Sequence, residues 1–260
     1  MLLQRILSAA LLAPVAIAAV WIGGLAFGLL AGLAASVMVW EWLTMVRGKL
    51  CPVDWALVVC VGAACLISLV MPLLGLGLIV GASLLGYAAS AGAWSAWGVF
   101  YPGLAALALI WLRGDGENGR HLLIWLLFIV WATDTAAYAA GRTIGGPLLA
   151  PRISPKKTWA GLIGGMAGAG LVGAAMVLTG VTPLTQLGPI WLIGVVGAVL
   201  AVIGQAGDFL ESWVKRHWGV KDSSALIPGH GGVLDRLDGL IAVGLVAAAA
   251  RLVRFPEGFW

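Results

Sequence analysis

Residues 55–112 constrain this chain most, because the whole stretch contains no Asp, Glu, Lys or Arg. The hydrocarbon core of a bilayer requires such uncharged segments of any helix that crosses it. The full chain follows the same trend, with 62% hydrophobic residues, 10% charged residues and a mean hydropathy of +1.04. Soluble domains use roughly 25% charged residues. The sequence therefore predicts an all-α, polytopic membrane helix bundle and excludes a water-soluble fold.

Polar and turn-forming residues divide the chain into nine apolar segments. Allowing about 20 apolar residues for each spanning helix, we predict spans at 4–22, 25–46, 54–71, 73–91, 95–112, 121–140, 159–180, 189–207 and 239–253. None of the intervening segments is long enough to form a soluble domain. We therefore predict one membrane domain over 1–260, with N-terminal helices in 1–112 and the helices and loops that carry the chemistry in 121–254.

Basic residues lie mainly on one side of this predicted topology. If the N-terminus is cytoplasmic, most Lys and Arg face the cytoplasm, while Arg113, Arg120, Arg251 and Arg254 lie outside. That distribution follows the positive-inside rule and places both long polar loops in the cytoplasm. The net charge of +4 matches anionic lipid headgroups better than nucleic acid, because no continuous basic stripe exists.

The N-terminal segment and the cysteines each allow a second interpretation. Residues 1–20, with Arg5 ahead of an apolar run, also resemble a secretory signal peptide. A second apolar segment follows almost at once, which favours a retained first span. Cys51, Cys60 and Cys65 lie in or beside apolar segments without metal-ligand spacing, so we predict small buried side chains and no disulfide framework.

The first group of candidate functional residues extends the eighth predicted helix. Asp208, Glu211, Ser212 and Lys215 follow the i, i+3, i+4, i+7 spacing of one helical face. A solvated helix end with a local Glu–Lys pair is the alternative. Because Asp208 directly follows an apolar run, and carboxylates near a bilayer are costly, a functional role is favoured for it.

The second group lies in residues 221–238. It contains Lys221-Asp222, then Pro228-Gly229-His230-Gly231-Gly232, then Asp235, Arg236 and Asp238. Glycines beside a histidine allow backbone amides to approach an anion. Carboxylate oxygens next to Lys and Arg suit magnesium-bound phosphate, whereas zinc ligands at the usual spacing are missing. A structural role in the loop and a catalytic role explain His230 equally well.

Two smaller groups lie upstream. Ser154-Pro-Lys156-Lys157-Thr158 opens the seventh predicted helix, where adjacent lysines and a helix N-terminus favour a polyphosphate anchor. Ordinary positive-inside charge with a Ser or Thr cap is the alternative. In the sixth helix, Asp134 and Tyr138 are four residues apart, with Arg142 one turn later. A structural hydrogen-bond pair explains the first two as well as a catalytic role does.

Together these segments resemble the signature of the phosphatidate cytidylyltransferases, also called CDP-diacylglycerol synthases. The resemblance rests on Ser212-Trp-Val-Lys215-Arg216, Lys221-Asp222 and Pro228-Gly-His230-Gly231-Gly232-Val-Leu-Asp235-Arg236-Leu-Asp238. Asp134-Thr-Ala-Ala-Tyr138 and Ser154-Pro-Lys-Lys-Thr-Trp-Ala-Gly161 resemble two further family segments, and length and multi-span architecture agree over the whole chain. Ala160 departs from the family, in which many members carry Glu at that position.

The resemblance implies that the phosphate of phosphatidic acid attacks the α-phosphorus of CTP, giving CDP-diacylglycerol and pyrophosphate. It implies Mg²⁺ bound by Asp208 and Asp235, with Asp238 and Asp222 in support, and a second, monovalent cation such as K⁺. The predicted catalytic residues are Asp208, Asp235, Asp238, Lys215, Arg236 and His230. The predicted substrate-binding residues are Asp134, Tyr138, Ser154, Lys156, Lys157, Thr158, Ser212, Arg216, Lys221, Asp222, Gly231 and Gly232.

Two other classes of function contain similar residues. One is a different lipid-phosphate enzyme, such as a CTP-dependent lipid kinase or a CDP-alcohol phosphatidyltransferase, although the longer Asp-Gly and Ala-Arg motif of the latter is missing. The other is a transporter, whose buried charges would be spread along a central pathway. The expected partners are CTP, phosphatidic acid and membrane lipids, with no nucleic acid. The oligomeric state stays open, a homodimer included. The expected location is a bacterial inner membrane, with the site facing the cytoplasm.

Overall fold

A computed structural model describes residues 2–254, with side chains described at 10–185 and 187–253, as a bundle of nine helices. The helices are α1 (Leu2–Ile22), α2 (Gly24–Arg47), α3 (Pro52–Ser68), α4 (Pro72–Ala89), α5 (Ala93–Arg113), α6 (Glu117–Thr143), α7 (Trp159–Leu178), α8 (Ile190–His217) and α9 (Leu234–Arg254). Two short strands, β1 (Leu148–Ala150) and β2 (Ser154–Thr158), separate α6 from α7, and a 3-10 turn, Thr185–Leu187, precedes α8.

The described helices make this chain an integral membrane protein. Six of them, α2 and α4 to α8, are long and apolar enough to cross a membrane. Shorter apolar helices cover Ala10–Ile22 and Pro52–Ser68. Each of the nine predicted segments lies on one helix, and the predicted polar extension of the eighth segment is the continuous end of α8. The count of nine spans stays a prediction, because α9 begins with several charged residues.

The all-α prediction needs one correction, the small hairpin between α6 and α7. β1 and β2 pair antiparallel, with Leu148 opposite Thr158 and Ala150 opposite Ser154. Thr158 also caps α7, since its Oγ1 accepts a hydrogen bond from the Gly161 amide at 3.0 Å. The paired lysines therefore lie on a strand before the helix. Successive strand residues face opposite sides, so the two lysines differ in environment.

Small residues allow α7 to pack closely on its neighbours. A Cβ atom at Gly164 would collide with Ala140 of α6, and one at Gly168 would collide with Ala136. On the α8 side, Gly170 lies against the backbone of α8. Close approach of this kind is what small residues at a helix interface permit. It brings the polar ends of α6, α7 and α8 together.

The two ends of the bundle have different contents. At one end the buried guanidinium of Arg113 donates to the carbonyls of Val20 at 2.5 Å and Trp21 at 3.2 Å, which satisfies the C-terminal end of α1. Arg251 of α9 reaches the carbonyl of Trp111 at the same end. The opposite end carries the hairpin, the last turns of α2 and α8, and the start of α9. The candidate site lies there.

Candidate active site

Asp208 lies where α8 leaves its apolar stretch. Its carboxylate pairs with Lys157 of β2, with an N–O distance of 2.5 Å, and accepts a hydrogen bond from Ser212 Oγ at 3.2 Å. The Asp208 side chain is 33% exposed and that of Lys157 is 19% exposed. The Lys157 ammonium also lies 4.5 Å from the centre of the Phe209 ring. The predicted phosphate-binding lysine and metal-binding aspartate thus neutralise each other.

Three further carboxyl groups surround Asp208. Asp134 of α6 and Asp238 of α9 interact with it electrostatically, and Glu211 lies within hydrogen-bonding reach of Asp238. The Lys215 ammonium is 3.3 Å from Glu211 Oε1, but neither Glu211 oxygen receives a hydrogen bond from the described residues. Like charges this close repel one another unless a proton or a cation lies among them. The cluster is therefore suited to bind positive charge.

Asp235 lies in the first turn of α9, and its carboxylate has several hydrogen-bond donors. Its Oδ2 accepts hydrogen bonds from the Gly232 amide at 2.8 Å and from the Ser223 amide and hydroxyl, both at 2.9 Å. Its Oδ1 pairs with the buried Lys215 ammonium. Burial would raise the pKa of Asp235, but Lys215 and the two amides together hold it below the ordinary value of 3.8. Lys215 is enclosed between the carboxylates of Glu211 and Asp235, and its predicted catalytic role stays a prediction.

The glycine-rich segment forms a tight turn, and several of its backbone amides donate hydrogen bonds to other groups of the protein. The His230 amide donates to the Ile227 carbonyl at 2.9 Å across a Pro-Gly pair, and Gly229 has φ 76°. This is the pattern of a type II turn, which requires a positive φ at its second central residue. The Gly231 amide also donates to the Ile227 carbonyl, and the Gly232 amide donates to Oδ2 of Asp235. Roles for Gly231 and Gly232 in substrate binding stay predictions, because their amides already have acceptors.

A cavity of about 530 Å³ opens beside this turn. Its volume falls within the range of small-molecule sites. Arg236 lines it and also interacts with Asp134, so it connects the cavity with the carboxyl cluster. The other polar side chains of the lining are those of Lys221, Asp222, Ser224 and His230. Mixed charge of this kind suits a polyphosphate that arrives with a divalent cation.

Glu41 of α2 completes the site and is not among the residues predicted from the sequence. It is fully buried and accepts four hydrogen bonds. The donors are the amides of Val233 (2.8 Å) and Leu234 (2.7 Å) and the hydroxyls of Ser223 (3.2 Å) and Ser224 (2.7 Å). A single glutamate inside an apolar helix was the available signal, since such a group needs a partner. No local spacing could identify donors so far along the chain.

Several predicted contacts lie away from this centre. Tyr138 is 67% exposed, and its hydroxyl accepts a hydrogen bond from Arg142 at 2.7 Å. Arg216 is exposed and donates to the Val220 carbonyl at 2.9 Å. Lys156 is exposed on β2, whereas its neighbour on the strand is half-buried. Their substrate contacts stay predictions.

The donor set has the right chemistry for Mg²⁺ without forming a complete metal site. Among residues 2–254, no group of three or more His, Cys, Asp or Glu side chains is arranged to hold a metal ion. Magnesium is commonly held by one or two carboxylates together with substrate phosphates and water. Glu211, whose buried oxygens accept no hydrogen bond from the described residues, and the partly exposed Asp208 fit that description. Asp235 fits less well, because its oxygens already have donors.

Fold and site together define a class: a multi-span membrane protein with a charged, phosphate-suited site at one end of its bundle. The sequence model of the cytidylyltransferase family matches residues 3–253, and the chain belongs to that family. It is 40% identical over 262 residues to the phosphatidate cytidylyltransferase of Brucella suis, covering 98% of this chain and 93% of that protein. The enzyme of the same name from Pseudomonas aeruginosa is 36% identical over 270 residues, covering 96% of each chain. That of Haemophilus influenzae is 41% identical over 145 residues, covering 55% of this chain and 50% of the relative.

Proposed function

We propose that this chain is a phosphatidate cytidylyltransferase, which converts CTP and phosphatidic acid into CDP-diacylglycerol and pyrophosphate. The family and the name of the relatives that match along their length support the reaction. One structural observation carries the proposal further. Lys157 pairs with Asp208, which interacts electrostatically with Asp134 and Asp238, and Arg236 interacts with Asp134 and also lines the cavity. Cations for phosphates and carboxylates for a metal thus lie together at one end of a membrane bundle.

The reaction needs no nucleophile from the protein. A phosphate oxygen of phosphatidic acid forms a bond with the α-phosphorus of CTP. The bond from this phosphorus to the oxygen that bridges to the β-phosphorus breaks, and its electron pair leaves with pyrophosphate. Catalysis then consists of positioning and charge neutralisation. We expect Lys157, Lys221 and Arg236 to neutralise the phosphates, because Lys221 and Arg236 line the cavity and Lys157 pairs with Asp208.

Magnesium is part of the proposal and supplies charge neutralisation on the triphosphate. Asp208 is the residue we expect to hold it first, since the side chain is partly exposed and has one exchangeable partner, Lys157. Asp235, the predicted second ligand, has to exchange Lys215 for the metal. Asp238 requires no such exchange and is the alternative. A second, monovalent cation such as K⁺ stays an expectation from the family resemblance.

We propose that the site faces the cytoplasm of a bacterial inner membrane. The support is the distribution of basic residues, with Arg47 and Lys49 at the end that carries the site and Arg113 and Arg251 at the other. A reporter that works only in the cytoplasm, fused to Trp260 outside the described residues, should be inactive. An active reporter would contradict either the orientation or the odd number of spans.

The decisive assay uses CTP labelled at one of two phosphorus atoms. Purified protein in nanodiscs is mixed with phosphatidic acid, Mg²⁺ and CTP. Label at the α-phosphorus should enter the lipid product, and label at the γ-phosphorus should leave in pyrophosphate. A CTP-dependent lipid kinase would give the reverse pattern for the lipid. If neither label enters the lipid, the result contradicts both the cytidylyltransferase and the lipid kinase.

A further inference from the structure

Glu41 is a buried carboxylate in a helix that is otherwise apolar around it. It lies near the C-terminal end of α2 and is 0% exposed. A carboxylate in such surroundings is costly unless hydrogen bonds satisfy its oxygens. All four of its hydrogen bonds come from residues 223–234, which join α8 to α9. The Glu41 carboxylate is therefore bound entirely by this one segment.

Two of the donors are backbone amides at the start of α9. Val233 N donates to Glu41 Oε1 and Leu234 N donates to Oε2, from positions 192 and 193 residues later in the chain. The first amides of a helix have no acceptor inside the helix, and a neighbouring Ser, Thr, Asp or Asn usually provides one. Here the cap comes from another helix. It fixes where α9 starts and places negative charge at its positive end.

The hydroxyl donors extend this contact along the loop. Ser224 Oγ donates to Glu41 Oε1 at 2.7 Å. Ser223 Oγ lies 3.2 Å from Glu41 Oε2 and 2.9 Å from Asp235 Oδ2, so its single proton is shared between the two carboxylates. Asp235 in turn pairs with Lys215 of α8. The loop is thus held between α2 and α8 through one continuous set of polar contacts.

Gly232 gives an independent measure of how closely the carboxylate approaches the loop. A Cβ atom at this position would collide with Glu41 Oε1 and with Ser223 Oγ. The backbone of Gly232 does not have a positive φ, unlike that of Gly231. Glycine is therefore favoured at 232 by the space that Ser223 and Glu41 occupy, not by backbone conformation.

From this geometry we infer that Glu41 is a positioning residue for the cytidylyl transfer proposed above, on which the inference rests. Glu41 fixes the loop that places Lys221, Asp222, His230 and Arg236 around the cavity. A carboxylate suits this site because each of its oxygens meets a backbone amide, which can only donate. A glutamine of equal size would turn its NH₂ group towards one of these amides in either orientation.

Hydrogen–deuterium exchange tests the position of the loop without any substrate. Wild type, Glu41→Gln and Glu41→Ala are compared in nanodiscs. Residues 221–234 should exchange roughly tenfold faster or more in Glu41→Ala, and less so in Glu41→Gln, because the amides lose a charged acceptor. Residues 148–158 should not change. Glu117→Gln is the matched control, since the Glu117 side chain is 81% exposed and pairs with Arg120.

Steady-state kinetics then test whether loop position governs the reaction. The kcat should fall in the order wild type, Glu41→Gln, Glu41→Ala, with a loss of about tenfold or more in the alanine variant, because misplaced groups no longer align the bound phosphates. The KM for CTP should change less than kcat. A purely space-filling role for Glu41 predicts that the glutamine variant equals wild type in both measurements.

Each outcome decides the inference. Unchanged exchange of residues 221–234 in both variants overturns it, as does faster exchange with an unchanged kcat, or a glutamine variant equal to wild type. If Glu41→Ala does not fold, Glu41→Gln and Ser224→Ala, which removes one of the four donors, decide the same question. Absence of cytidylyl transfer by the wild type counts against the proposed function alone, because exchange is measured without substrate.

Discussion

Two polar regions at the same end of the bundle are held in opposite ways. Residues 221–236 are fixed by Glu41 and Asp235, two buried carboxylates whose oxygens are satisfied by the protein. The hairpin at 148–158 reaches the site through the ion pair of Lys157 with the partly exposed Asp208. Carboxylates of the first region build the site, whereas Asp208 can exchange its partner for a ligand. The same substitution, Asp to Asn, should therefore have different consequences in the two regions.

Asp235→Asn should have the largest effect, because it removes both activity and stability. The buried Lys215 ammonium would lose its closest partner, and breaking a buried pair costs about 3–5 kcal/mol. Thermal unfolding in detergent should show a clearly lower Tm and turnover should be lost. The double variant Lys215→Met with Asp235→Asn should regain part of the Tm but no activity. A wild-type Tm in Asp235→Asn would show that this carboxylate does not hold the loop together.

Asp208→Asn should strongly reduce turnover without affecting stability. We expect kcat to fall by about 10²–10³, the usual loss for one electrostatic group at a reacting phosphate or oxyanion. The Tm should stay close to that of the wild type, because a partly exposed ion pair contributes about 0–1 kcal/mol. The Mg²⁺ concentration for half-maximal activity should rise. Near-normal activity with unchanged Mg²⁺ dependence would place the metal elsewhere, and Asp222 with Asp238 would be the next pair to test.

The two lysines of β2 should differ in a way that sharpens the comparison. Lys157→Ala should raise the KM for CTP by about tenfold, equivalent to 1.4 kcal/mol of lost phosphate binding, with a smaller change in kcat. The exposed Lys156 should contribute less, and its effect should shrink as salt rises. Steady-state kinetics on the single and double variants measure this. Unchanged CTP kinetics in the double variant would show that the hairpin does not bind CTP.

Tyr138→Phe should have the smallest effect of the four. Its hydroxyl is at the surface and contacts Arg142, so its loss should change stability by less than about 0.5 kcal/mol. Activity should remain within about twofold of wild type, since surface substitutions away from a site are usually near neutral. A tenfold loss of kcat would show that Tyr138 reaches the substrate after all and that the site extends along α6.

The sequence predicted those parts of the site that depend on local periodicity. Ser212 contacts Asp208 at 3.2 Å and Lys215 lies 3.3 Å from Glu211, as expected for residues four apart on one helix. Helical spacing fixes these relations before any tertiary contact forms.

The parts that could not be predicted depend on contacts between distant segments. Nothing local indicates that Glu41 caps α9, because the acceptor and its donors meet only after α2 and α9 pack in the same bundle. The hairpin was missed because β1 is only three residues long and was assigned to a loop. The acceptors of the loop amides could not be read from local sequence either, since Gly232 donates to Asp235 and Val233 donates to Glu41.

The distance along the chain between Glu41 and its donors also has a consequence for biosynthesis. The donors follow 182 to 193 residues later, so at about 5–20 residues per second they leave the ribosome on the order of 10–40 s after α2. During that interval α2 resides in the membrane with an unsatisfied acid. We expect water near the lipid headgroups to satisfy Glu41 until α9 arrives. A nascent chain that stalls before α9 would then keep this carboxyl group without its donors from residues 223–234.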